Sequence, residues 1–235
     1  MTSRWSAHLR GHLLRFDRPR APEISPADGA RLLLAAVLAE LLRIGAVAWL
    51  RPRVPLLLLM PAVLLVALLL LRAARVGPAR IGLRPWREWS TTERSFLVQA
   101  LVLANVVFPL VLAGPIAARL AEPGAARGLL AVFAPYLLYG FYQELVYRGM
   151  LQRALVPRWG AAAGIVGANL LFTFGPLHWR HLASPGGPDL PMLAAIFGIG
   201  LYFGVAYHRS GNLWIVGLLH AVGNAYLVWS LGPAR

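Results

Sequence analysis

Glu144, Arg148, His178, His220 and Asn224 are the residues of this sequence best placed to do chemistry. Each lies within or at the end of a long apolar run, where a polar side chain is costly and is seldom kept without a use. The 235 residues include nine Asp and Glu in all, and only Glu40 and Glu144 fall inside such runs. Arg148 follows Glu144 by four residues and Arg43 follows Glu40 by three, spacings that set each pair on one helix face. Asn224 follows His220 by one helical turn, and Gln143 stands directly before Glu144.

A buried carboxylate can take a proton from water while a neutral imidazole orients that water. A second imidazole and an amide N–H can hold the oxyanion that forms when water attacks a carbonyl. These residue types suffice for peptide hydrolysis without serine or cysteine. Plainer uses stand beside that reading: an ion pair that staples helices, favoured for Glu40 and Arg43, and hydrogen-bonded packing for the histidines. A carboxylate and two histidines can also hold zinc. No His-Glu-x-x-His pattern occurs, so neither metal nor cofactor is expected.

The elements that must position these groups are membrane helices. The chain is 58% hydrophobic and 14% charged, with a mean hydropathy of +0.62, too apolar for an ordinary soluble domain. Val54–Leu71, Ser95–Ala118, Gly160–Leu177 and Leu190–Tyr207 carry no charge, and each approaches the roughly 20 residues that cross a bilayer as a helix. Ten-residue alternating segments, the mark of a membrane barrel, are absent from the sequence. The expectation is an all-α, polytopic membrane bundle of about seven spans, six to eight. They are placed at Leu32–Leu50, Val54–Leu71, Ser95–Ala118, from Gly128 through Glu144 to Leu155, Gly160–His178, Leu190–Tyr207 and Asn212–Leu231. With the fourth and fifth spans turning near residue 158, Glu144 and His178 differ in depth by about 9 Å at 1.5 Å per residue, a gap that helix tilt and the Gly175–Pro176 break can absorb.

The net charge of +14 is carried by 23 arginines and no lysine. Most lie between the apolar runs, and their bias places the N-terminus on the cytoplasmic side; for a bacterial source the location expected is the cell inner membrane. They are read as topology signals, so no nucleic-acid partner is expected. Residues 1–29 read as a basic cytoplasmic tail or an interfacial helix built on Trp5, Leu9, Leu13 and Phe16. Residues 30–127 read as N-terminal membrane helices with a basic connector at 72–94, and residues 128–235 as a catalytic membrane core. No apolar stretch near the start resembles a signal peptide, and the absence of cysteine removes thiol chemistry.

Three segments carry a family resemblance: Gln143-Glu144-Leu-Val-Tyr-Arg148-Gly149, Phe174-Gly-Pro-Leu-His178 and His220-Ala-Val-Gly-Asn224. In order, spacing and placement on successive apolar runs they resemble the motifs of the CPBP family, the CAAX proteases and bacteriocin-processing enzymes also called Abi. These are intramembrane endopeptidases of glutamic type. The resemblance covers about residues 128–228 and extends to the Leu213-Trp214 lead-in to the third motif. It implies that His178 partners the water-activating carboxylate and that His220 with Asn224 holds the oxyanion, with Gln143, Arg148 and Phe174 in support. The family's first motif begins Glu-Glu, and here its first position is Gln143, which cannot act as a base. Either Glu144 takes over, with Gln143 holding substrate or water, or hydrolysis is lost and a scaffold remains.

Three functions follow. The first is an intramembrane endopeptidase acting on a membrane-anchored protein or peptide, with C-terminal protein-sorting signals as one substrate type. The second is a catalytically silent membrane scaffold with an immunity or regulatory role. The third is a small transporter using Glu144 as a proton relay, although no internal repeat is visible.

Overall fold

The computed structural model describes residue 16 and residues 24–232, and all regular structure among them is helical. The expected interfacial helix falls almost entirely on residues outside this range. Phe16 alone is described, its ring edge-on to Phe96 at 5.5 Å.

Helix α1 spans Pro26–Leu50 and α2 spans Leu56–Ala73. The sequence places the first span at Leu32 and assigns residues 26–29 to the tail; the structure makes those residues the first turn of α1. Ser25 is the reason. Its hydroxyl accepts the Asp28 N–H at 3.1 Å, and Pro26, which has no N–H to leave unpaired, takes the first helical position.

The basic connector is held, not loose. Two short 3-10 turns, Pro78–Ile81 and Trp86–Glu88, carry it across one end of the bundle. Tyr207 Oη donates to the Ile81 carbonyl at 2.9 Å, and Leu213 N donates to the Gly82 carbonyl at 3.1 Å. The buried Glu93 carboxylate accepts from Arg84 at 2.6 Å, Asn212 at 3.0 Å and the Ser90 backbone N–H at 2.7 Å. Ser90 and Glu93 form the capping box that starts α3, Thr91–Val111. The expected third span therefore begins earlier than Ser95. It breaks at Leu112, before α4 at Ala113–Ala121, because Pro115 has no N–H to give the Val111 carbonyl.

Residues 125–174 form one apolar helical stretch of 50 residues. It opens with Ala125–Gly128 and a π-helical turn, Leu129–Phe133. Helix α5, Ala134–Glu144, follows, then a longer π-helical segment, Leu145–Gln152, and α6, Arg153–Phe174. At Gly160 the backbone takes φ 80° and ψ 168°, open to glycine without a steric cost. The chain doubles back there: a β-carbon on Gly164 would lie 2.7 Å from Val156 Cα. Among the described residues, six helices are long and apolar enough to cross a membrane, and this reversal divides one of them into two segments.

Helix α7, Leu190–Ser210, and α8, Leu213–Leu231, complete the bundle. Helix α8 is central, packed along α5 and against α3. Leu32, Leu145, Met150, Leu213 and Val216 are wholly buried at the core, whereas Leu41, Leu58, Val102 and Leu110 are among the large apolar side chains turned outward, as lipid-facing positions require.

Candidate active site

The site is organised by one face of the fourth crossing segment, on which Gly140, Glu144, Arg148 and Gln152 follow at four-residue intervals. Gly140 lets the backbone of α5 touch that of α8. A β-carbon at this position would stand 2.7 Å from Ala221 Cα and 2.9 Å from its nitrogen. One turn further on, the wholly buried Glu144 meets His220, with Oε1 2.6 Å from His220 Nδ1. The same oxygen accepts from Arg148 Nη1 at 3.1 Å. Glu144 Oε2 is buried with no hydrogen-bond partner. Beside this pair, Asn224 Nδ2 donates to Gln143 Oε1 at 3.1 Å. Consecutive residues of α5 thus address two rungs of α8 one turn apart.

The opposite wall is α7, where glycines leave main-chain carbonyls within reach. Arg148 Nη2 donates to the Gly200 carbonyl at 2.7 Å, and Gln152 Nε2 to that of Gly204 at 2.9 Å. Asn169 on α6 accepts from Arg148 at 3.4 Å and donates to the Phe197 carbonyl at 2.9 Å. The Arg148 guanidinium also lies 4.4 Å from the centre of the Phe172 ring, a cation–π contact. A cation removed from water is tolerable here because both of its terminal nitrogens and its face have partners.

His178 lies in the turn after α6. Its Nδ1 is 2.8 Å from the Phe172 carbonyl, so the neutral ring donates from Nδ1 and keeps its Nε2 lone pair. It makes no hydrogen bond to Glu144. Phe172 connects the two histidines, edge-on to His178 at 4.9 Å and to His220 at 5.8 Å. Phe203 stacks on His220 at 5.5 Å.

The structure thus joins Glu144 with Arg148 and His220, joins Gln143 with Asn224 on the next turn, and sets His178 on the Phe172 ring that also meets His220. Phe174, expected in support, is half exposed and tilts against Phe197 at 6.3 Å; the ring at the site belongs to Phe172. Sequence reasoning also missed Asn169 and Gln152. Both are amides within apolar runs, the same signal that singled out Asn224.

Glu40 and Arg43 form a separate knot. Arg43 holds Glu40 at 2.7 Å, and Tyr142 Oη donates to Glu40 at 3.0 Å and to the Ala39 carbonyl at 3.1 Å. The pair fastens α1 to the face of α5 turned away from His220.

Residues 125–226 match the family described as type II CAAX prenyl endopeptidase Rce1-like. This stretch, from the short helix at Ala125 into α8, is similar to the CPBP/CAAX protease family, and the match supports the resemblance carried by the three motifs. In general terms the match supports the role of a membrane endopeptidase. No curated protein and no solved structure gives a match.

Proposed function

We propose that this protein hydrolyses a peptide bond of a membrane-anchored protein or peptide and that its catalytic base is the Glu144–His220 pair. The observation carrying this reading is the 2.6 Å contact between a wholly buried carboxylate and an imidazole whose side chain keeps 15% exposure. Arg148 and His220 both bond Glu144 Oε1, so that the carboxylate backs the imidazole instead of meeting water itself. A proton on Nδ1 leaves the Nε2 lone pair of His220 for water. This reassigns His220, expected at the oxyanion, to water activation, with Glu144 behind it.

The reaction then balances simply. Water oxygen attacks the scissile carbonyl carbon, and its proton passes to His220 Nε2. His178 Nε2 accepts the second water hydrogen and fixes the direction of attack. The oxyanion takes N–H groups from Gln143 and Asn224, since the glutamine that replaces a glutamate supplies two donors. The imidazolium returns its proton to the amide nitrogen as the C–N bond breaks, leaving an amine and a carboxylic acid, which gives its remaining proton to solvent on release. The finer assignments belong to the same proposal: glutamic-type chemistry, a substrate carrying a C-terminal anchor or sorting helix, and an inner-membrane location with the N-terminus cytoplasmic.

The test is reconstitution with a panel of anchored peptides, comparing wild type with Glu144→Gln, His220→Ala and His178→Ala, each checked for an unchanged helical signal. A positioned acid–base group contributes about 10²- to 10⁴-fold, so Glu144→Gln and His220→Ala should each lose at least about a hundredfold. Cleavage surviving His220→Ala overturns the base assignment. A wild type inert toward every peptide favours the silent scaffold, and Glu144-dependent proton flux without cleavage favours transport.

A further inference from the structure

A second polar region lies at the end of the bundle where α1 stops at Leu50, α2 begins at Leu56 and α8 stops at Leu231. Here a cleft of about 630 Å³ opens between the α1–α2 turn, the segment from Arg119 to Val132, and the end of α8. That volume lies within the range of small-ligand sites. Arg51, Arg119 and Arg127 line it, with Glu122 the only acid.

The three arginines do different things. Arg119 builds the wall: its Nε donates to the Trp229 carbonyl at 3.1 Å, its Nη2 to the Gly232 carbonyl, and its Nη1 to Glu122 at 3.0 Å. This fixes α4 to the end of α8 and spends the one carboxylate in the lining. Arg51 comes from the α1–α2 turn and Arg127 from the segment after α4; both are exposed, and neither forms an ion pair with a described carboxylate. Two arginines thus line the same cleft, and its one carboxylate, Glu122, is paired with Arg119. Leu56, Val132 and Val228 supply apolar wall, and Tyr136 and Trp229 supply aromatic wall.

We propose that this cleft binds the phosphate headgroup of an anionic lipid. Its depth selects the ligand. Three helix ends place it at the membrane–water boundary, where phosphate diesters are the abundant anions and where Trp and Tyr are favoured. Guanidinium groups fork onto phosphate oxygens with paired hydrogen bonds, and the apolar wall suits the glycerol and first acyl carbons. A free phosphate ion would use the arginines and leave that wall bare. An acidic peptide would have no need of headgroup depth. Tyr136 lines the cleft and stands two turns before Glu144, about 12 Å along the helix. The ligand would therefore sit beside the substrate's membrane segment without touching the reacting groups.

The experiment measures lipids retained by the purified protein in native mass spectrometry, together with its thermal midpoint in micelles. The micelles carry phosphatidylglycerol, phosphatidylcholine or no lipid, the last with and without inorganic phosphate or an acidic peptide. The variants are the Arg51→Gln/Arg127→Gln double and an Arg72→Gln/Arg87→Gln control at exposed arginines outside the cleft. Wild type and control should retain one phosphatidylglycerol about tenfold more readily than phosphatidylcholine, and the cleft variant should lose that preference, two interfacial cations supplying the difference. Equal retention by cleft variant and control, or no preference between the lipids, overturns the site. Stabilisation by inorganic phosphate alone, or by the acidic peptide in place of lipid, overturns the lipid assignment.

Discussion

Gly140 and Ala221 hold the site together by having almost no side chain between them. A β-carbon on residue 140 would come within 2.7 Å of Ala221 Cα, so α5 and α8 meet backbone to backbone at this crossing. Glu144 is one turn along α5 from that contact and His220 directly precedes Ala221. The helix separation at Gly140 therefore sets the 2.6 Å carboxylate–imidazole distance.

Gly140→Ala should cost about 1–3 kcal/mol, the usual penalty for overfilling a packed contact. Gly140→Leu should push α5 from α8 and abolish cleavage. Denaturant or thermal unfolding in micelles, run alongside a cleavage assay, reads both effects. A Gly140→Leu variant with full activity would show that the crossing does not position Glu144.

Gln143→Glu separates two accounts of the site. The substitution keeps the oxygen that Asn224 bonds at 3.1 Å and removes both N–H donors. If those donors hold the oxyanion, the cleavage rate at saturating peptide falls by about 10²-fold or more, with little change in KM. A rise in rate would return water activation to position 143, where the family motif has its first glutamate.

Glu40 and Arg43 should behave as a structural knot. Arg43→Met alone leaves the Glu40 carboxylate partly buried without its cation and should cost about 3–5 kcal/mol. The double variant Glu40→Leu/Arg43→Met removes both charges and should recover much of that loss. Below the unfolding midpoint both variants should cleave at the wild-type rate. Selective loss of cleavage with stability intact would instead tie the pair to the reaction.

How much of this was legible in the sequence depends on how far each signal reaches along the chain. Glu144, His220 and Asn224 announce themselves because a polar side chain in hydrocarbon is costly at any rotation of its helix. The reversal of the fourth and fifth spans falls at Gly160, close to the expected turn near residue 158, because length alone constrains it. Phe172 was missed in favour of Phe174 because the motif marks the latter, whereas the exit direction of α6 decides which ring faces His178. The Arg148 acceptors on α7 were illegible for another reason. They are main-chain carbonyls, which leave no trace in residue type. The start of α1 at Pro26 was written locally, in the Ser25 cap, but the hydropathy of residues 26–31 spoke against it.

Arg148 is held at once by Glu144, Asn169, the Gly200 carbonyl and the face of Phe172, contributions from three crossing segments. Such a hub restricts how the protein can drift over generations. Exchanging the arginine by itself strands an anion and two acceptors, while enlarging residue 200 crowds the guanidinium, which a β-carbon there would approach to 3.0 Å. Natural variation at positions 144, 148, 169 and 200 should therefore move in concert or not at all, so that a coupled set built on one cation includes a residue whose own side chain is a single hydrogen.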